Sequence, residues 1–149
     1  MDFQIATLCD YAADYGNGKL VISGTFDTLM APKLPVVHPH CSLAMRICVL
    51  PEDSGEHDMT INIIDEDGVS IDPKRMPIPL KMPIQLPDNV PFLTRNFVAN
   101  FGGLSFPKAG IYHLDVTLDG ELVLRLPLRI VQVQQQPGQP GQPGQPPMA

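Results

Sequence analysis

From Ser42 to Val49 the chain alternates with a period of two: Leu43, Met45, Ile47 and Val49 are interleaved with Ser42, Ala44, Arg46 and Cys48. That period puts successive side chains on opposite faces of an extended strand and cannot make the one-sided apolar stripe of a helix. It recurs where Met59, Ile61 and Ile63 oppose Thr60 and Asn62, and where Phe97, Ala99 and Phe101 oppose Asn96, Val98 and Asn100. No stretch has helical periodicity, and Gly, Pro, Asn and Asp punctuate the runs. The pattern predicts strands at 3–11, 19–28, 42–50, 57–65, 76–86, 94–101, 110–117 and 121–131. The first two alternate too poorly for their faces to be assigned. Strands with one apolar face must cover those faces with one another. The expected fold class is therefore all-β: a two-sheet antiparallel β-sandwich, immunoglobulin-like, of about seven or eight strands.

The last two strands form the most legible hairpin. Tyr112, Leu114 and Val116 share one parity, as do Leu122, Leu124, Leu126 and Leu128. A two-residue Asp119-Gly120 loop would turn one set to water. A three-residue loop, Leu118-Asp119-Gly120, keeps both sets inward as a type I turn with a G1 bulge at Gly120. That register sets Val116 against Leu122, Leu114 against Leu124 and Tyr112 against Leu126. Outside, it sets His113 against Arg125 and Asp115 against Val123.

Residues 76–87 alternate differently: Met76, Ile78, Leu80, Met82, Ile84 and Leu86 are apolar, and Pro77, Pro79, Pro83 and Pro87 fall on the odd positions between them. Proline has no N–H, and amides of one parity point to one side of a strand. This segment reads as an edge strand that pairs inward and resists pairing outward.

The 149 residues suit one domain, and 44% hydrophobic content can build one core. Sixteen acidic against ten basic side chains give a net charge of -6 with no basic cluster, which argues against nucleic acid and anionic membrane as partners. No apolar run approaches the roughly 20 residues of a membrane helix. Met1-Asp2-Phe3-Gln4 lacks the basic start and apolar run of a signal peptide, so a cytoplasmic location is expected. Cys9, Cys41 and Cys48 are an odd number and read as free, buried thiols rather than a disulfide framework. Composition breaks near Val131: residues 132–149 carry no charge and repeat Pro-Gly-Gln. The expected domains are a β-sandwich over 1–131 and a disordered Gln/Pro/Gly tail over 132–149. Gly138, Gly141 and Gly144 fit a collagen register, but three triplets are too few for a triple helix.

Chemistry needs a nucleophile, a base and a group to orient it. His38-Pro39-His40-Cys41 is the one dense cluster of metal-capable side chains, making His38, His40 and Cys41 the candidate metal ligands or enzyme centre. No CxxC or HExxH spacing accompanies it, and the prolines suggest a loop. Cys41 or Cys48 as a nucleophile would need an electropositive, partly open pocket. Asp65-Glu66-Asp67-Gly68 invites a calcium-binding, C2-like reading but lacks EF-hand spacing; a tight turn with solvated carboxylates and Gly68 at positive φ is expected. Gly16-Asn17-Gly18-Lys19 and Gly102-Gly103 read as turns, not phosphate loops. No catalytic set and no cofactor site emerges.

Leu8-Cys9-Asp10-Tyr11-Ala12, Gly18-Lys19-Leu20 and Gly24-Thr25-Phe26-Asp27 resemble the start of a bacterial family of small uncharacterised proteins, a domain of unknown function. His38-Pro39, Gly55-Glu56-His57, Asp65-Glu66-Asp67-Gly68 and Gly110-Ile111-Tyr112 leading to Asp119-Gly120-Glu121 extend the resemblance to about residue 131. It implies a compact β-sandwich and no activity or catalytic residue. The expected function is non-enzymatic: an intracellular protein-interaction or structural module with an unknown protein partner or a second copy of itself.

Overall fold

A computed structural model describes residues 1–134. Among these residues nine strands form two sheets: β1 Asp2–Asp14, β2 Leu20–Thr25, β3 Thr28–Ala31, β4 Val36–Val49, β5 Gly55–Ile64, β6 Ile78–Ile84, β7 Leu93–Phe106, β8 Gly110–Leu118 and β9 Glu121–Gln132. One sheet has the order β2-β1-β4-β7 and the other β3-β9-β8-β5-β6. Their inner faces make the core: Leu43, Met45, Ile47 and Val49 meet Met59, Ile61, Ile63, Leu114, Val116 and Tyr112, all fully buried or nearly so. Each such side chain contributes about 1.5–3 kcal/mol on burial, so the two-residue period is the main source of stability.

The sandwich is not wholly antiparallel. The expected strand 19–28 breaks at Phe26-Asp27, where the chain crosses from one sheet to the other. β3 then runs parallel to β9, with Arg129 N–H on Asp27 O at 2.8 Å. β1 also does two jobs. Through Cys9 it pairs with β4; beyond Cys9 it pairs with β2 alone. That hairpin leans over the outer face of the four-stranded sheet, packing Ala12, Leu20 and Ile22 with Cys9, Ala44 and Val98. Arg46 holds it by donating to Gly18 O at 2.8 Å. The bend needs Gly24, at φ 70, because a Cβ there would lie 2.5 Å from Asp10 Oδ2. These double duties explain why β1 and β2 lack clean alternation.

β4 and β7 are longer than expected, and each absorbs a segment read as loop or turn. His38-Pro39-His40 lies within β4, and Gly102-Gly103 within β7 opposite it. The inward rows switch parity here, from Val36 to Cys41 and from Phe101 to Leu104 and Phe106, with Gly103 at φ 63. Both strands carry the switch together, so their register is unbroken.

The last hairpin corrects the expected register. Its loop has two residues, Asp119 (φ 51) and Gly120 (φ 84), joining the pair Leu118–Glu121. Two positive φ values make the primed turn that matches strand twist. Parity is restored instead by a bulge: Thr117 opposes Leu122 but Val116 opposes Leu124, leaving Val123 as the extra residue. Leu114 thus faces Leu126, Tyr112 faces Leu128, and Leu122 is exposed. Outside, Asp115 faces Arg125, which binds it through two 2.7 Å hydrogen bonds, and His113 faces Pro127.

Tyr112 locks the start of β8. Its hydroxyl donates to Lys108 O at 2.8 Å, and its ring meets Phe106 edge-on with centroids 5.0 Å apart. β9 continues through Gln132, past the expected domain limit, and Val133 N–H bonds Ala31 O at 2.9 Å. The remaining tail and the collagen reading of it, from 135 onward, lie outside the described residues. No helix among the described residues is long and apolar enough to cross a membrane.

Candidate functional site

The sequence candidates do not converge. Cys41 is buried in the core beside Leu43, and burial pushes its thiol up to about 11, away from a reactive thiolate. His38 lies on the row of Val36, its ring 5.6 Å from Phe26 and its Nε2 buried without a partner. His40 is exposed. Among the described residues no three His, Cys, Asp or Glu side chains gather as a metal site would require. All three cysteines are free, and Cys48 is only partly buried.

The acidic turn has other work. Asp65 Oδ1 accepts from Asp67 N–H at 2.9 Å and Val69 N–H at 3.0 Å, and Gly68 takes φ 78 as expected. The carboxylates are not simply solvated: Glu66 Oε1 reaches Ile111 N–H at 3.2 Å and ties the turn to β8.

One ionisable cluster had no sequence signal beyond its turn residues. His57 Nδ1 lies 2.7 Å from Asp119 Oδ2, and Nε2 lies 2.7 Å from Asp53 O. Asp119 Oδ1 also accepts from Asp58 N–H at 2.9 Å. Its hydrogen bonds to Asp119 and Asp53 raise the His57 pKa, and the Asp58 amide and His57 lower that of Asp119. Both imidazole nitrogens are occupied, so the cluster is a clamp and not a free base. Two open surface grooves, of about 370 Å³ around Ser54 and Pro87–Pro91 and about 360 Å³ around Asp27, Ile111 and Arg129, contain neither histidine nor cysteine.

The sheet edges offer more. An unpaired strand edge presents a row of donors and acceptors that another strand can take. β6 is the edge of its sheet, as expected, and Pro79 and Pro83 stand on its outward side. β3 has four residues and is followed by Pro32 and Pro35. Before β3 joins it, β9 exposes an edge interrupted by the bulge at Val123 and by Pro127. β2 has six residues, and the free stretch of β1 is bulged between Phe3 and Ile5. Among the described residues β7 alone is long and unguarded: 14 residues without proline or register shift, paired only with β4, and with Arg95 its single charge. Arg75, itself held by Asp72, donates to Gly102 O at 2.8 Å and covers that end of the edge. Residues 93–101 remain open. Sequence could have flagged the lack of proline and of acidic residues in 93–106, but not that the strand lies at an edge.

The model of one protein family, described only as a family of unknown function, matches residues 4–131. No curated protein matches the chain.

Proposed function

The chain belongs to DUF6941, a family of unknown function, and we propose that it is a non-enzymatic, intracellular interaction module that takes a partner protein strand along β7. The carrying observation is the contrast among edges: proline, bulges or brevity limit every other one, while 93–101 of β7 keeps its outward backbone groups free. Strand addition takes affinity from those backbone groups and selectivity from alternate side chains. An edge with one arginine and no acid suits a protein strand better than a phosphate backbone. Three free thiols support a reducing compartment such as the cytoplasm.

An immunoglobulin-like arrangement fits this role. The orders β1-β4-β7 and β9-β8-β5-β6 follow the A-B-E and G-F-C-C′ pattern, and Tyr112 sits where such domains place their corner tyrosine. Affinity capture from native lysate tests the function. Val98→Pro should lose the partner that the unaltered chain captures, while His40→Ala keeps it. Retention by Val98→Pro, or loss with His40→Ala alone, would overturn the β7 reading in favour of the histidine segment.

A further inference from the structure

The outward groups of β7 can be named from two contacts. Arg75 takes the Gly102 carbonyl at 2.8 Å from the open side and also reaches the Gly103 carbonyl at 3.3 Å. Positive φ at Gly103 breaks the alternation there, so the regular run is the one before Gly102. In a regular strand alternate residues bond to the same side, so Asn100, Val98, Asn96 and Thr94 also turn their N–H and C=O outward. The far side of the sheet agrees. Leu8 O accepts from Phe26 N–H at 3.1 Å, so Leu8 faces away from β4. Leu43, opposite Leu8, therefore bonds to β7 through Ala99, its partner there. Odd residues of β7 bond to β4, and even residues are left to a newcomer.

We infer that the strand β7 takes is the β7 of a second copy of this chain, antiparallel, in the register that sets Phe97 opposite the second copy's Phe97. This rests on the reading of β7 as a strand acceptor. The open run from Leu93 to Phe101 is centred on Phe97, so this register alone pairs all four outward residues with all four. On the inner face Leu93 then meets Phe101 and Phe97 meets itself, apolar against apolar; on the outer face Thr94 meets Asn100. Arg95 meets Ala99 rather than another arginine. The chain carries a net charge of -6, which opposes association elsewhere, but this edge has no acidic residue. Pro79 and Pro83 deny the neighbouring edge of the other sheet the same extension, which confines pairing to one sheet. The chain's own tail cannot substitute, since from Pro137 on no more than two consecutive residues keep an N–H.

Sedimentation equilibrium of the full chain tests this. The unaltered protein should form a concentration-dependent dimer. Val98→Pro removes one outward donor per copy and no bond to β4, so with an unchanged circular dichroism spectrum it should dimerise about tenfold more weakly or worse. If that variant does not fold, amide exchange of the unaltered protein serves instead: Asn96 and Val98 should gain protection as concentration rises. Under oxidation F97C should give a dimer whose disulfide joins the two copies at position 97. A monomer at every concentration, or a dimer as strong in folded Val98→Pro, would overturn the inference. A monomer that still captures a partner through β7 would leave the strand-acceptor reading standing.

Discussion

His57 donates through Nδ1 to the Asp119 carboxylate, 62 residues away in the chain and 2.7 Å away in space, while its Nε2 meets the carbonyl of Asp53. Neither acceptor has a hydrogen to offer, so only the doubly protonated imidazolium satisfies both. The raised pKa has that origin. The stabilisation is complete below the unfolded imidazole's value of about 6.5 and is lost as pH rises through the higher folded value. Urea midpoints should therefore fall from about pH 6.5 upward, and His57→Gln should flatten that slope. An equally steep slope in the variant would place the titration elsewhere. Asp119 acts with the opposite sign: its lowered pKa gives stability that is lost on acidification through the depressed value.

Thiol accessibility should rank with burial. Cys9 and Cys41 are buried, and Cys41 stays protonated up to about 11. In the native protein an alkylating reagent should modify Cys48 first, and all three only after unfolding. Recovery of any disulfide by mass spectrometry without added oxidant would contradict the free thiols and count against the proposed reducing compartment.

What was legible in the sequence was the local parity of side chains. Leu43 through Val49 and Met59 through Ile63 stand inward as their alternation requires, and the prolines at 79 and 83 mark a true edge. Alternation cannot show where two strands change faces together. Leu104 and Phe106 follow Gly102-Gly103 on the opposite parity from Phe101, so an unbroken strand resembled a strand and a turn. Nor does it show contacts made through turns. Asp53 precedes β5, His57 lies within it and Asp119 sits in the β8–β9 turn, so the 62-residue contact forms only once β5 pairs with β8. Edge position is likewise a property of topology, which is why β7 gave no signal of its own.

Tyr112 is 2% exposed, and its hydroxyl spends its one hydrogen on Lys108 O. Tyr112→Phe keeps the ring against Phe106 and removes only that bond. The expected cost is about 1 kcal/mol, or a few degrees of melting temperature. Tyr112→Ala also empties the core and should cost about 3–5 kcal/mol. Equal losses in the two variants, measured by urea denaturation, would show that the hydroxyl and not the ring is the main anchor.

The bulge at Val123 supports a prediction about deletion. The Asp119-Gly120 turn pairs Leu118 with Glu121 and Thr117 with Leu122, which alone would turn Leu124, Leu126 and Leu128 outward. Val123 is the extra residue that brings Leu124 opposite Val116, and it is 40% exposed. Deleting Val123 leaves the turn untouched and carries Leu124 directly into the position after Leu122, still opposite Val116. The ladder becomes regular and every inward leucine stays inward. Deleting Gly120 instead destroys a turn that needs positive φ at both central residues. The chain lacking Val123 should therefore fold, with stability within about 1 kcal/mol of the parent, a surface-type change. The chain lacking Gly120 should lose several times more. Collapse of the Val123 deletion under urea denaturation, with the Gly120 deletion intact, would mean that the loop and not the bulge sets the register.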